Sequence, residues 1–159
     1  PKSHILIMSP EGLEQTGFHE RDSFSQILTH EINHRFMSDL YEFSFPIWVF
    51  EALACYVANQ FNESKLTDDI IDFPFDRMHY SDFYANSKYT YSKSGGFTNY
   101  LVNTYGEKSL LTFIEEVNGK TSSEMDDIIL KSFQKTLTQL QGNWNQYLWD
   151  RYADSGNTS

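Results

Sequence analysis

"ILTHEINHRFM", residues 27–37, sets His30 and His34 four residues apart with Glu31 directly after the first. Residues four apart share one face of a helix, so two imidazoles at that spacing can converge on one ion. The flanking sequence predicts that helix: Ser23 followed three residues later by Gln26 is a capping-box pattern, and the run extends to about Ser38. At about 100° per residue, Phe24, Leu28, Ile32 and Phe36 form an apolar sector with Ile27 at its edge, and Glu31 falls inside it. A carboxylate facing a core calls for a reason that two incidental histidines on a half-exposed helix would not supply.

The next helix supplies one. Pro46, at a first-turn position, opens "PIWVFEALACYVANQF", in which Glu51 is the single charge before Gln60, among Trp48, Val49, Phe50, Leu53, Tyr56 and Val57. A helix apolar on every side is buried, and a buried carboxylate must be neutralised, paired with a cation such as Arg35, or bound to a metal. Zinc meets that need: two imidazoles and one carboxylate leave a fourth position for water, as in catalytic rather than closed structural sites. The seven residues 39–45 are enough for the chain to reverse and bring Glu51 near His30 and His34.

The pattern is also recognisable. His30-Glu31-x-x-His34, with Glu51 following after 16 intervening residues in Trp48-x-x-Glu51-x-x-Ala54-x-Tyr56, resembles the gluzincin zinc metallopeptidases, and within them the peptidase MA-like group. The resemblance implies a thermolysin-like catalytic domain with His30, His34 and Glu51 as zinc ligands and Glu31 as general base. It extends to "YSKSGGFTNYL", residues 91–101, which is similar to the Tyr-Glu-Lys-Gly helix start of the related aminopeptidases; Tyr91 would there stabilise the oxyanion, with Tyr89 the nearest substitute. "YGEKSLLTFIEEVNGK" resembles the helical tail of the group, so the likeness runs from Ile27 to about Trp149. Three departures stand out. Ala52 replaces the usual glycine, Cys55 stands where thermolysin-type enzymes have an aspartate, and the Gly-x-Met-Glu-Asn strand that binds a free amino terminus is absent, so exopeptidase activity does not carry over. Cys55 itself reads as a small buried residue.

Composition sets the outer bounds. At 159 residues the chain is sized for one domain, expected over residues 1–152, with 153–159 a flexible tail. Hydrophobic residues at 40 % exclude a disordered chain despite a formal charge of -10. Twelve basic against 22 acidic residues give no basic footprint, so nucleic acid is not an expected partner. No apolar run is long enough to span a membrane, and the peptidase resemblance implies a peptide or protein substrate. One cysteine excludes an internal disulfide. The first residues lack the order of a signal peptide, but the chain opens on Pro1, so the compartment stays open between cytoplasm and export, as does the oligomeric state.

The expected fold is mainly α (α+β): a helical bundle with a short N-terminal strand at "HILIMS", residues 4–9. Loop, or loop with a weak edge strand at "TGFHE", residues 16–20, is expected over 11–21, and a long irregular excursion over 62–88. Helices are then expected over 92–105, 108–117, 122–133 and 137–152, the last broken at Gly142. "SKSGG", residues 92–96, lacks the spacing of a phosphate cradle, and His4, His19 and His79 lack partners at ligand spacing. The rival functions are a peptidase-like binding module that cuts nothing and a structural helical domain without metal.

Overall fold

The computed structural model describes residues 9–15, 23–41, 47–61, 66–78 and 80–155. In chain order the helices are α1 (Pro10–Gln15), α2 (Phe24–Leu40), α3 (Ile47–Val57), α4 (Asp68–Ile71), α5 (Tyr80–Ala85), α6 (Ser87–Tyr105), α7 (Glu107–Val117), α8 (Met125–Phe133) and α9 (Leu137–Ser155), with 3-10 turns at Phe75–Arg77 and Ser122–Glu124. There is no strand among the described residues, so the fold is mainly α. The weak edge strand expected over 16–20 falls outside them. The strand expected over 4–9 falls outside them except for Ser9, whose hydroxyl accepts a hydrogen bond from the Gly12 N–H, 3.2 Å away. Ser9 and Pro10 thus open α1 where loop was expected, a capping residue followed by proline at the first helical position.

α3 is central. Ile47, Trp48, Val49, Ala52, Ala54 and Cys55 are buried, while Phe50, Leu53 and Tyr56 are half-buried and Val57 is exposed, so this apolar helix is covered on most of its circumference and not all round; it packs chiefly on α6 and α2. Trp48 meets Phe75 (ring centroids 5.3 Å apart) and Phe97 (6.3 Å), and Phe97 meets Trp144 (5.6 Å). α7 and α8 close the far side through Phe113, Ile114, Ile129 and Phe133. Trp144 has no exposed surface, and Trp144→Ala is expected to cost about 3–5 kcal/mol of stability, read as a lowered urea midpoint.

Several boundaries differ from expectation for local reasons. The described part of 62–88 is not irregular: Ile70, Phe73, Phe75, Met78 and Phe83 are buried pegs in a polar sequence, and they hold α4, a 3-10 turn and α5 against the bundle. α6 begins five residues earlier than expected, where the Thr90 hydroxyl donates to the carbonyls of Phe83 (3.0 Å) and Asn86 (3.3 Å) and closes the α5–α6 corner. It ends at Gly106, whose φ of 83° is a conformation glycine takes without strain. α9 runs through Gly142 without a break and continues over residues 153–155, expected to be tail, because Leu140, Trp144 and Leu148 form one buried stripe. Its start is a reciprocal capping box: the Thr136 N–H donates to Gln139 Oε1 (2.9 Å) and the Gln139 N–H to Thr136 Oγ1 (3.2 Å).

"SKSGG" lies inside α6, where a Cβ on Gly96 would come within 2.9 Å of Phe61 Cε2 and 3.1 Å of Trp144 Cζ2. The glycine is there for close packing. Beside it, Lys93 is fully buried, with Nζ donating to the Ile71 carbonyl and lying 4.5 Å from the Phe75 ring centroid. Burial pushes its ammonium down to about 8, with Asp72 opposing the fall. An unfolded lysine holds its proton to about pH 10.4, so between pH 8 and that value the unfolded chain binds more protons and stability rises with pH. Urea midpoints at pH 7.5 and 9.5 should therefore show a gain, on the order of 1 kcal/mol, that Lys93→Met lacks; equal slopes in the two proteins would refute it.

Candidate metal centre

α2 and α3 run antiparallel, since Gln26 of α2 reaches the Asn59 carbonyl just beyond α3 (2.9 Å) while His34, further along α2, reaches Glu51, earlier in α3. Ser23 stands at the N-cap of α2 but makes no side-chain cap bond, so its half of the capping box is not formed, and Gln26 Nε2 donates to the Asn59 carbonyl. The face α2 turns inward is also not the expected one. Its buried residues are His30 and Met37, whereas Ile32 is 39 % and Phe36 63 % exposed. The acid on α3 decides this: a buried carboxylate needs donors, and the histidine face of α2 supplies two.

Glu51 is 3 % exposed, and its Oε2 lies 3.2 Å from Nε2 of both His30 and His34. Two donors held at about 2.0–2.1 Å by one tetrahedral ion lie about 3.3–3.4 Å apart, so these separations suit a small divalent cation. All three donor atoms fall within 4.8 Å of one another. Arg35, the competing cation, is paired with Asp39 on its own helix (2.6 Å), and Glu51's partners among the described residues are His30, His34 and Tyr84. Imidazole nitrogens with a carboxylate oxygen form a donor set suited to zinc.

Electrostatics fit the same picture. Burial opposes ionisation of Glu51, but hydrogen bonds from His30 and His34 outweigh it and hold the carboxyl down at about 2. Burial likewise opposes charge on His30, yet Cys55 and Glu51 push it up to about 10. Without metal the pair is therefore carboxylate against imidazolium, and a cation binding there displaces a proton.

Neighbours that the sequence reading missed orient each of the three side chains. Gln60 Oε1 lies 2.7 Å from His30 Nδ1 and accepts its N–H, which leaves Nε2 facing Glu51. The His34 ring is stacked on Phe50 (centroids 4.2 Å apart, 14° between planes). Tyr84 Oη donates to Glu51 Oε1 at 3.0 Å. Gln60 and Phe50 lie on or just after α3 and were open to inspection; Tyr84 is 33 positions from Glu51, and no local pattern points to it.

His30, Glu31, Cys55, Gln60 and Tyr91 line a cleft of about 490 Å³. Glu31 is exposed at its edge, a correction to the core-facing position expected from the apolar sector: it flanks the buried histidine face, and of that sector Ile32 and Phe36 point to solvent while Phe24, Ile27 and Leu28 are half-buried. Tyr91 is half-buried, one turn inside α6, with its ring centroid 6.4 Å from that of His30. Burial, with Glu51, Tyr84, Cys55 and Glu31 around it, raises its hydroxyl above the ordinary phenol range, so it stays a proton donor. Tyr89 is stacked on Phe73 (5.3 Å, 7°) and is not among the cleft residues. Cys55 is buried as expected, with Sγ 3.9 Å from His30 Nδ1. His4, His19 and His79 lie outside the described residues. Comparisons with protein-family models, curated proteins and solved structures find no match to this chain.

Proposed function

We propose that this chain is a zinc metallopeptidase of the gluzincin type, hydrolysing peptide bonds in a peptide or protein substrate with Glu31 as general base. The observation that carries the reading is Glu51: a buried carboxylate in an otherwise apolar helix, facing two imidazole nitrogens at equal distance and, among the described residues, no guanidinium. His30, His34 and Glu51 would hold the metal, which when bound supplies Lewis acidity and lowers the pKa of water at the site. Glu31, at the cleft edge beside the ligands, takes a proton from the attacking water on a carboxylate oxygen and returns it to the leaving nitrogen. Tyr91, protonated and in the same cleft, donates to the carbonyl oxygen as negative charge develops there.

The second reading is a binding module that keeps the metal and cuts nothing. One feature favours it: among the described residues no strand borders the cleft to pair with a peptide backbone. Metal analysis of purified protein, with digestion of a broad peptide library, separates the readings. The peptidase carries about one zinc per chain and cleaves; metal without cleavage supports the module, and neither leaves a structural domain. No helix among the described residues is long and apolar enough to cross a membrane.

A further inference from the structure

We propose that Tyr84 is a positioning residue of the metal centre, holding Glu51 so that a single carboxylate oxygen faces the two histidines. The inference rests on His30, His34 and Glu51 being metal ligands, as proposed above, and adds a fourth residue from a separate part of the chain.

A carboxylate has two oxygens, and a buried one needs partners on both. Oε2 of Glu51 takes His30 and His34, each at 3.2 Å, and Oε1 takes the Tyr84 hydroxyl at 3.0 Å. The phenol thereby fixes the plane of the carboxylate. With Oε1 occupied, Glu51 offers one ligand atom, and the three-donor set keeps a position open. Were Oε1 free, Glu51 could turn and offer both oxygens, filling that position.

Tyr84 is about half exposed, but its backbone is fixed. Its neighbour Phe83 is fully buried and packs edge-on against Tyr91 (centroids 5.1 Å apart), and the Phe83 carbonyl accepts the Thr90 hydroxyl. The α5–α6 corner therefore anchors Tyr84 over Glu51 and ties it to Tyr91. Partners of this kind, which touch a ligand and not the metal, commonly set affinity and geometry together.

The test is Tyr84→Phe, which keeps the ring and removes only the donor. Zinc affinity is read by competition with a chromophoric chelator, and ligand geometry from the visible absorption of the Co²⁺-substituted protein. Expected are an affinity lower by about 10–100-fold, an altered cobalt spectrum, and unchanged helical circular dichroism without metal. Tyr89→Phe, whose ring stacks on Phe73 and is not among the residues lining the cleft, is the control and should match the parent chain in zinc affinity and cobalt spectrum. If Tyr84→Phe binds zinc as tightly as the parent with the same cobalt spectrum, the positioning role is overturned and the metal centre stands. If the parent chain itself binds no zinc or cobalt, the metal centre falls first.

Discussion

Glu31→Gln is expected to bind zinc at the same stoichiometry and affinity as the parent chain and to lose about 10²–10⁴-fold in peptide hydrolysis. The two halves of this expectation have separate physical origins. Glu31 is exposed at the cleft edge and outside the converging His30, His34 and Glu51 donors, so an isosteric amide there disturbs neither the ligand set nor the packing of α2. An amide, however, has no basic oxygen with which to take the proton of the attacking water or return it to the leaving amine. The measurements are zinc per chain by elemental analysis and initial rates on the peptide library at saturating metal. A variant cleaving at close to the parental rate would remove Glu31 from the chemistry. Joint loss of metal and activity would instead place Glu31 among the ligands.

The core of this site was readable in the sequence because it rests on two strong local signals. His30 and His34 share a face through helical periodicity alone, and the lone acid of an apolar helix announces its own burial. Where tertiary choice decides, the reading failed. α2 carries apolar residues on one side and histidines on another; the apolar count favoured the side of Ile32 and Phe36, but Glu51 needed donors and selected the histidine side. The same holds for 62–88, where isolated residues such as Ile70, Met78 and Phe83 are buried by neighbours distant in sequence, so no window of composition marks them as core. α1 is a different kind of miss. Ser9 and Pro10 are an opening signal in the sequence, outweighed by the glycines that follow.

Glu51→Ala is expected to reduce zinc affinity by more than the roughly 10–100-fold that losing a partner outside the ligand set would cost, since it removes one of the three proposed ligands outright. Its effect on the metal-free protein is a separate test with a definite sign. His30, pushed up to about 10 from 6.5, contributes stability that is fully present below pH 6.5 and lost as pH rises through 10. Glu51, held at about 2 instead of 4.5, contributes stability that is fully present above pH 4.5 and lost as pH falls through 2. The pair therefore stabilises the metal-free fold most between pH 4.5 and 6.5. In Glu51→Ala the anion is gone and only Cys55 is left to oppose the burial of the His30 charge, so the stability gap between parent and variant, measured by urea unfolding with chelator present, should be largest near pH 6 and shrink towards pH 10. Tyr84 provides the internal comparison, because it holds the other carboxylate oxygen through the hydroxyl of an uncharged phenol. A gap that does not change with pH would mean that this phenol, and not the imidazole pair, keeps Glu51 ionised in the core. The carboxylate would then need no cation at all, and the metal centre would lose its physical reason.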